Sequence, residues 1–292
     1  MVIKHLKYKE IDFKKYDNCI DISINSRIYA YSWYLDIVCN KDWEVLILDD
    51  YKVVMPLPFK RVKRKFFKRM ITQPLFCQQL GIFYSSEISE QIFDLFLTRF
   101  LSIPHFAYNF NSDNKKFLNK NSEFSERINY ELNLNKSYDE IKNNFSKNLK
   151  RNIKKAVKNE IVITDNISVM QFIEMKKSNA KHKIKKEQYS TIKKLIEMVI
   201  KQNNGSFYGV VKDEKTIAIA FFIESKSRLI HLFSVSNNLG KKDGAIPFIF
   251  NEIIQKNTKN IIFDFEGSMI PGVAKFFESF GATNNSYFTI NA

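Results

Sequence analysis

The chain of 292 residues has few of the side chains that usually carry metal or nucleophilic chemistry. Its four histidines, His5, His105, His182 and His231, are scattered and form no zinc-binding spacing, so no metal is expected. Cys19, Cys39 and Cys77 are an odd number without a CxxC pair, which argues against a disulfide framework. They read as reduced, partly buried thiols of a cytoplasmic protein. Apolar runs are short and broken by charge, which excludes a membrane-spanning helix. The opening MVIKHLKYKEIDFKKYD lacks the apolar core and cleavage pattern of a secretory signal. No convincing Ser-His-Asp or Cys-His arrangement is found, and no direct internal repeat is visible.

Hydrophobic residues make up 45% and aromatic residues 14%, ample for buried cores, so wholesale disorder is excluded. The length suits two compact domains or one large one. A net charge of +15 points to a polyanionic partner: tRNA, a nucleotide cofactor, a phospholipid surface or a pyrophosphate-bearing substrate. Abundant Lys, Asn, Ile and Phe also fit A/T-rich coding, so where the charge lies matters more than its sum.

The first 40 residues read as two helices, the second near Tyr29–Cys39, with Trp33 a candidate pocket wall. WEVLILDDYKVVMPLPF reads as a hairpin turning at Asp49-Asp50, with Pro56 and Pro58 marking an edge or a strand end. The next ten residues, KRVKRKFFKR from Lys60 to Arg69, contain seven basic ones around Phe66-Phe67. An exposed, charge-protected loop explains them, as does a patch for phosphates or for transient contact with an anionic membrane. MITQPLFCQQLGIFY suggests two short strands around Pro74. Its Gln73, Gln78 and Gln79 either bind a sugar or peptide substrate or satisfy backbone groups at an irregular turn. Glu87–Phe100 is an amphipathic helix, HFAYNF and RINYELNL are strands, and residues 111–124 form a loop between them.

Ser137-Tyr138-Asp139-Glu140 is a capping box opening one long helix to about Lys158. On that helix Lys147, Lys150, Arg151, Lys154, Lys155 and Lys158 share one face, with Leu149, Ile153, Ala156 and Val157 opposite. Any surface helix needs a solvated face, but six uncompensated like charges favour an anion. Lys150, Arg151 and Lys154 are therefore candidate substrate-binding residues. A strand IVITD, a helix capped from Ser168, the basic connection KKSNAKHKIKK and a helix Tyr189–Lys201 follow. SFYGVVKDEKTIAIAFFIESKSRLIHLFSVS is a three-stranded antiparallel meander. It leads through the loop NNLGKKDGA to an apolar helix with Pro247 in its first turn.

The chain is organised around Ile261–Ile290. A strand IIFDF places Asp264 and Glu266 on one face, roughly 6.5–7 Å apart. Gly267-Ser268 ends it, Pro271-Gly272 opens a helix carrying Phe276, Phe277 and Phe280, Gly281 stops the helix, and Tyr287–Ile290 is a last strand. A capping Asp and a solvated Glu are the plain explanation; an α/β active-site edge is the other.

The run FDFEGS…GVAKFFESFGA resembles the C-terminal signature of the Fem-type branch of the GNAT acyltransferase superfamily. FSKNLKRNIKKAV, Phe145–Val157, is similar to that branch's basic helix, and WEVLILDDYKVVMPLPF with QPLFCQQLGIF matches more loosely. The resemblance implies an α/β (α+β) chain of tandem GNAT-like domains with mixed, mostly antiparallel sheets flanked by helices. The divisions are 1–134, a degenerate copy, and 135–292, the acyltransferase domain. It further implies direct attack of an amine on an activated acyl group, with acyl-CoA or aminoacyl-tRNA as donor. Asp264 or Glu266 would take the proton, and Tyr287 would protonate the leaving group. Lys275 or an amide near Gly267 would hold a phosphate or polarise the carbonyl. Gly240, Lys241, Lys242, Gly244 and Ala245 stand where CoA-binding relatives carry an Arg/Gln-x-x-Gly-x-Gly/Ala loop, matched here only in part. Gln78 and Gln79, with Trp33, are candidate acceptor contacts.

Three functions fit: an N-acyltransferase acting on an amine-bearing acceptor, an aminoacyl-tRNA-dependent transferase acting on a peptidoglycan precursor, and a non-catalytic binder of nucleic acid or membrane surface.

Overall fold

The computed structural model describes residues 2–118, 123–180, 184–257, 261–267 and 269–291, so His182, Ser268 and the middle of the basic connection lie outside the described residues. The chain forms two compact units, Met1–Ile128 with Ser286–Ala292, and Asn129–Asn285. No helix among the described residues is long and apolar enough to cross a membrane.

The first unit contains β1 (Lys4–Leu6), α1 (Phe13–Ile22), α2 (Ser32–Cys39), β2 (Trp43–Leu48), β3 (Val53–Val62), β4 (Lys68–Thr72), β5 (Phe83–Tyr84), α3 (Glu90–Leu101), β6 (His105–Phe110), α4 (Lys115–Leu118) and β7 (Phe124–Arg127). The second contains β8 (Tyr130–Asn133), α5 (Tyr138–Asn143), α6 (Lys147–Lys158), β9 (Val162–Thr164), α7 (Val169–Ser178), α8 (Lys186–Lys201), β10 (Gly205–Lys212), β11 (Lys215–Ser225), β12 (Arg228–Ser236), α9 (Asn238–Asp243), α10 (Ala245–Lys256), β13 (Ile262–Asp264), α11 (Pro271–Glu278) and β14 (Thr283–Asn284). The last strand, β15 (Tyr287–Asn291), returns to the first sheet.

In the first unit the strand order is β1-β2-β3-β4-β6-β15-β7, with β5 also paired to β3. The expected hairpin is present as β2 and β3, but all six residues of β2 are buried, Glu44 included. Burial pushes the Glu44 carboxyl up, yet His5, Lys7 and the Arg69 charge together outweigh this and hold it down at about 2. Pro56 and Pro58 sit inside β3 rather than at its end. Residues 55–58 pair with β2 alone, because β5 takes residues 53–54 and β4 takes 59–62, so an absent N–H costs no ladder bond there. The two short strands expected around Pro74 are present as the end of β4, residues 70–72, and as β5, with an isolated bridge at Leu80 between them. Cys19 and Cys77 are buried and Cys39 half-buried, and burial pushes the Cys19 thiol up to about 11.

In the second unit the order is β14-β8-β13-β12-β11-β10-β9, antiparallel except for the parallel pair β12 and β13. The meander β10–β12 forms as its alternation requires. The single helix expected over 137–158 is two. The Ser137 capping box opens α5, which ends at Asn143, and Ser146 opens α6 by accepting the Leu149 N–H at 3.1 Å. On α6, Leu149, Ile153 and Ala156 are buried, whereas Val157 is 61% exposed, outside the apolar stripe assigned to it.

The core under this sheet is aromatic. Phe250 of α10 is fully buried and packs its ring 4.7 Å from His231, 5.7 Å from Phe222, 5.6 Å from Phe263, 5.8 Å from Phe265 and Phe280, and 5.7 Å from Phe276. Burial drives the His231 ring down to about 4; a backbone hydrogen bond with Phe265 opposes this and the Lys176 charge adds to it, so the ring is neutral at pH 7. Phe250→Ala is expected to cost about 3–5 kcal/mol in urea unfolding, with Phe250→Leu well below that.

Candidate functional site

Two adjoining cavities in the second unit are formed by α6, α9, α10 and α11. One, about 290 Å³, is lined by Asn152, Ser236, Gly240, Lys241, Lys242, Gly244, Ile246, Pro247 and Phe276. The other, about 220 Å³, is lined by Asn148, Leu149, Asn152, Gly272, Lys275, Phe276 and Ser279. Asn152 and Phe276 belong to both, so the two make one cleft. Its cationic walls are Lys241, Lys242 and Lys275, and among the described residues no carboxylate lines it. A larger cavity of about 790 Å³, in the first unit along Val2, Ile3 and α3, contains none of the expected site residues.

Glycine geometry builds the first cavity. A Cβ on Gly240 would lie 2.3 Å from the Ile217 carbonyl oxygen and 2.5 Å from Ser236 Oγ, so α9 approaches β11 and β12 only through glycine. Gly244 has φ +72°, the left-handed conformation that ends α9 and starts α10, and a Cβ there would stand 3.2 Å from the Asn152 carbonyl oxygen. Ser236 lines the cavity because β12 outlasts its partner. The parallel pairing with β13 covers Arg228–Ile230 and Ile262–Asp264, after which β12 runs on to Ser236 without it.

The expected phosphate loop is instead the short helix α9. Asn237 caps it, taking the Gly240 N–H on its side chain at 2.9 Å and the Lys241 N–H on its carbonyl at 3.0 Å, and the Gly244 N–H bonds to the Gly240 carbonyl. These amides are therefore bonded within the helix, while Lys241 and Lys242 are exposed residues that line the cavity. Ala245 is fully buried and lines neither cavity. Buried Asp243 anchors α9, accepting from Lys212 Nζ at 2.8 Å and Asn159 Nδ2 at 2.8 Å. The Lys212 hydrogen bond holds its carboxyl below the ordinary range against a smaller effect of burial.

The basic helix contributes differently from expectation. Lys150 Nζ donates to the Asn143 carbonyl at 3.0 Å, Lys155 Nζ to the Lys242 carbonyl at 2.7 Å, and Arg151 to Asn148 Oδ1 at 2.7 Å. Lys150, Arg151 and the exposed Lys154 line neither cavity. The residues of α6 that do line the cleft include Asn148 and Asn152, four apart and thus on one flank, and neither carries a charge that would mark it in the sequence.

The paired carboxylates are also rearranged. The strand stops at Asp264, and Glu266 has φ +56°, so the two do not share a strand face. The cause is local: Asp264 Oδ1 accepts the Glu266 N–H at 2.9 Å and bends the chain. Asp264 stands directly across from Glu131 on β8, and Arg228 Nη1 bridges them at 2.9 Å and 2.7 Å. Asn129 and Asn285 donate to the Glu131 oxygens at 3.1 Å and 3.0 Å. Neither Asp264 nor Glu266 lines the cleft.

Four expected residues belong to the first unit. Tyr287 opens β15 opposite Arg127. Trp33 is half-buried on α2 against the Tyr34 ring. Gln79, 1% exposed, accepts the Ser112 N–H at 3.0 Å and donates to Gln78 at 2.8 Å. Gln73 likewise serves backbone groups, accepting the Asn109 N–H and donating to the Cys77 carbonyl. Among the described residues no group of three His, Cys, Asp or Glu side chains is placed to hold a metal ion.

Arg228→Met leaves two buried carboxylates facing each other. It is expected to cost about 3–5 kcal/mol by denaturant unfolding, and adding Glu131→Gln should recover part of the loss.

No protein-family model matches the chain, and no curated protein matches its sequence. Solved structures do match in fold. FemX superposes with a TM-score of 0.68 at 10% identity, covering 100% of this chain and 98% of that one. L-PGS from Bacillus licheniformis gives 0.54 at 10% identity over 95% and 91% of the two chains. A tandem GNAT protein from the clavulanic acid biosynthesis pathway gives 0.54 at 8% identity over 99% and 98%. The chain therefore has a Fem-type, tandem GNAT-like fold of two mostly antiparallel sheets flanked by helices.

Proposed function

We propose that the protein is an acyltransferase that moves an activated acyl or aminoacyl group from a phosphate-bearing donor to an amine by direct attack. The observation that carries this reading is the cleft walled by Lys241, Lys242 and Lys275, with no carboxylate among its described lining residues. Three ammonium groups can neutralise donor phosphates there, while Asn148, Asn152, Ser236 and Ser279 offer neutral hydrogen bonds.

In the proposed reaction the amine nitrogen bonds to the acyl carbon, the bond to the donor's thiolate or ribose oxygen breaks, and one ammonium proton must leave. Glu266 is the proposed proton acceptor, set just beyond β13, with Asp264 as the group that positions it through the Glu266 N–H. The second proton of the amine passes to the leaving thiolate or ribose oxygen.

A second reading takes aminoacyl-tRNA as the donor and a peptidoglycan-precursor amine as the acceptor, as the Fem resemblance implies. Two observations favour it. The internally bonded amides of α9 are unavailable to a compact pyrophosphate, and Lys147, Lys154 and Lys158 are exposed on α6, suiting a long polyanion.

The test is titration with acyl-CoAs and with charged tRNA at two salt concentrations, followed by assay with amine acceptors. Replacing Lys241, Lys242 or Lys275 by Ala is expected to weaken donor binding by about tenfold each. With tRNA, each change should also lower the log–log salt slope by roughly one. Glu266→Gln should lower kcat by about a hundredfold or more while leaving donor affinity unchanged. Failure of both donors to bind, or full activity in Glu266→Gln, would remove the corresponding part of the reading.

A further inference from the structure

The hairpin formed by β3 and β4 ends in a feature that the transferase reading leaves unused. Its last cross-strand pairs are Lys60 with Met70, Arg61 with Arg69, and Val62 with Lys68, so like charges stand directly opposite each other. Arg69 is answered by Asp42 at 2.6 Å and Glu44 at 3.0 Å, and its guanidinium lies 3.7 Å from the centre of the Phe59 ring. Lys60, Arg61, Lys63, Lys65 and Lys68 are exposed, and no described carboxylate comes within ion-pairing distance of them.

Between these cations the chain turns through a short 3₁₀ segment, Lys63–Lys65, and then Phe66 and Phe67, with φ of +50° and +57°. Left-handed backbone is unfavourable for a bulky side chain, and such turns ordinarily use Gly, Asn or Asp. Here two consecutive phenylalanines adopt it. The Phe67 N–H closes the turn on the Val62 carbonyl at 3.0 Å. As a result the rings project outward: Phe66 is 99% exposed and Phe67 58%.

We infer that this tip docks the protein on an anionic lipid surface. An apolar tip framed by unpaired cations matches the layering of a bilayer face, where the rings enter the acyl boundary and the ammonium groups meet lipid phosphates. Lysine stems beside the rings can follow them inward while their charged ends stay at the headgroups. A single-stranded nucleic acid fits less well. Base stacking uses rings set in a groove or on a sheet face, and Phe66 at 99% exposure has no wall beside it. The inference is independent of the cleft in the second unit and of the reaction proposed for it.

The experiment is co-sedimentation of the full chain with phosphatidylcholine vesicles and with vesicles in which part of the lipid is phosphatidylglycerol. Binding is expected for the anionic vesicles. Phe66→Ser with Phe67→Ser should weaken it on the order of tenfold. Lys63→Ser with Lys65→Ser should weaken it roughly fivefold per lysine. All four positions are exposed, so unchanged melting curves serve as the folding control. Phe66→Trp adds a reporter whose emission, taken as a difference from the native Trp33 and Trp43 signal, should shift to the blue on anionic vesicles and not on tRNA. Equal vesicle binding by the parent and the double Phe variant overturns the inference. So does a loss of tRNA binding in that variant with vesicle binding intact, an outcome that assigns the hairpin to RNA.

Discussion

One guanidinium decides how the second sheet is put together. Asp264 and Glu131 face each other across β13 and β8, a like-charge pairing that two strands would otherwise avoid. Arg228, at the start of β12, reaches both, so three neighbouring strands share a single cation. The side chains are 13%, 10% and 3% exposed for Arg228, Glu131 and Asp264, which shields the arrangement from salt. Such a cluster is a poor source of net stability compared with apolar packing. Its value lies in register, since a one-residue slip of β13 would turn Asp264 to the other face. The second Asp264 oxygen then sets the turn into Glu266, so sheet assembly and the shape of the strand end have the same cause.

Regular elements were largely legible in the sequence because they follow local rules. The meander from Gly205 to Ser236 and the capping box at Ser137 depend on alternation and cap chemistry over a few residues, and both form. What the sequence concealed depends on distant partners. Asp264 and Glu266 look like a pair by spacing, and only the Arg228–Glu131 bridge and the Asp264 turn separate them. Pro56 and Pro58 read equally as an edge or a strand end, and only the pairing of the neighbouring strands, which leaves that side of β3 open, decides for the edge. The Gly240 segment reads as a loop because its cap, Asn237, acts from three residues away and folds the glycine into a helix.

The cleft was half legible. Gly240, Lys241, Lys242, Gly244 and Lys275, singled out through the family resemblance, stand around the two cavities. The amides that complete the walls, Asn148 and Asn152, carry no charge that would mark them in the sequence. Full-length likeness to solved structures at 8–10% identity has the same explanation, since backbone layout depends on patterning and a few special positions, which many sequences satisfy.

The position of β15 has a consequence for how the molecule acquires its structure. This strand lies between β6 and β7, and the Thr289 hydroxyl bonds the Tyr108 carbonyl across 181 residues of sequence. The pairing therefore closes a loop that contains the whole second unit. Such long-range pairing is entropically slow, so the first sheet stays split during synthesis until the second unit has emerged from the ribosome. Until then β6 and β7 lack the strand that pairs with both, and the first sheet, begun before the second, is completed after it.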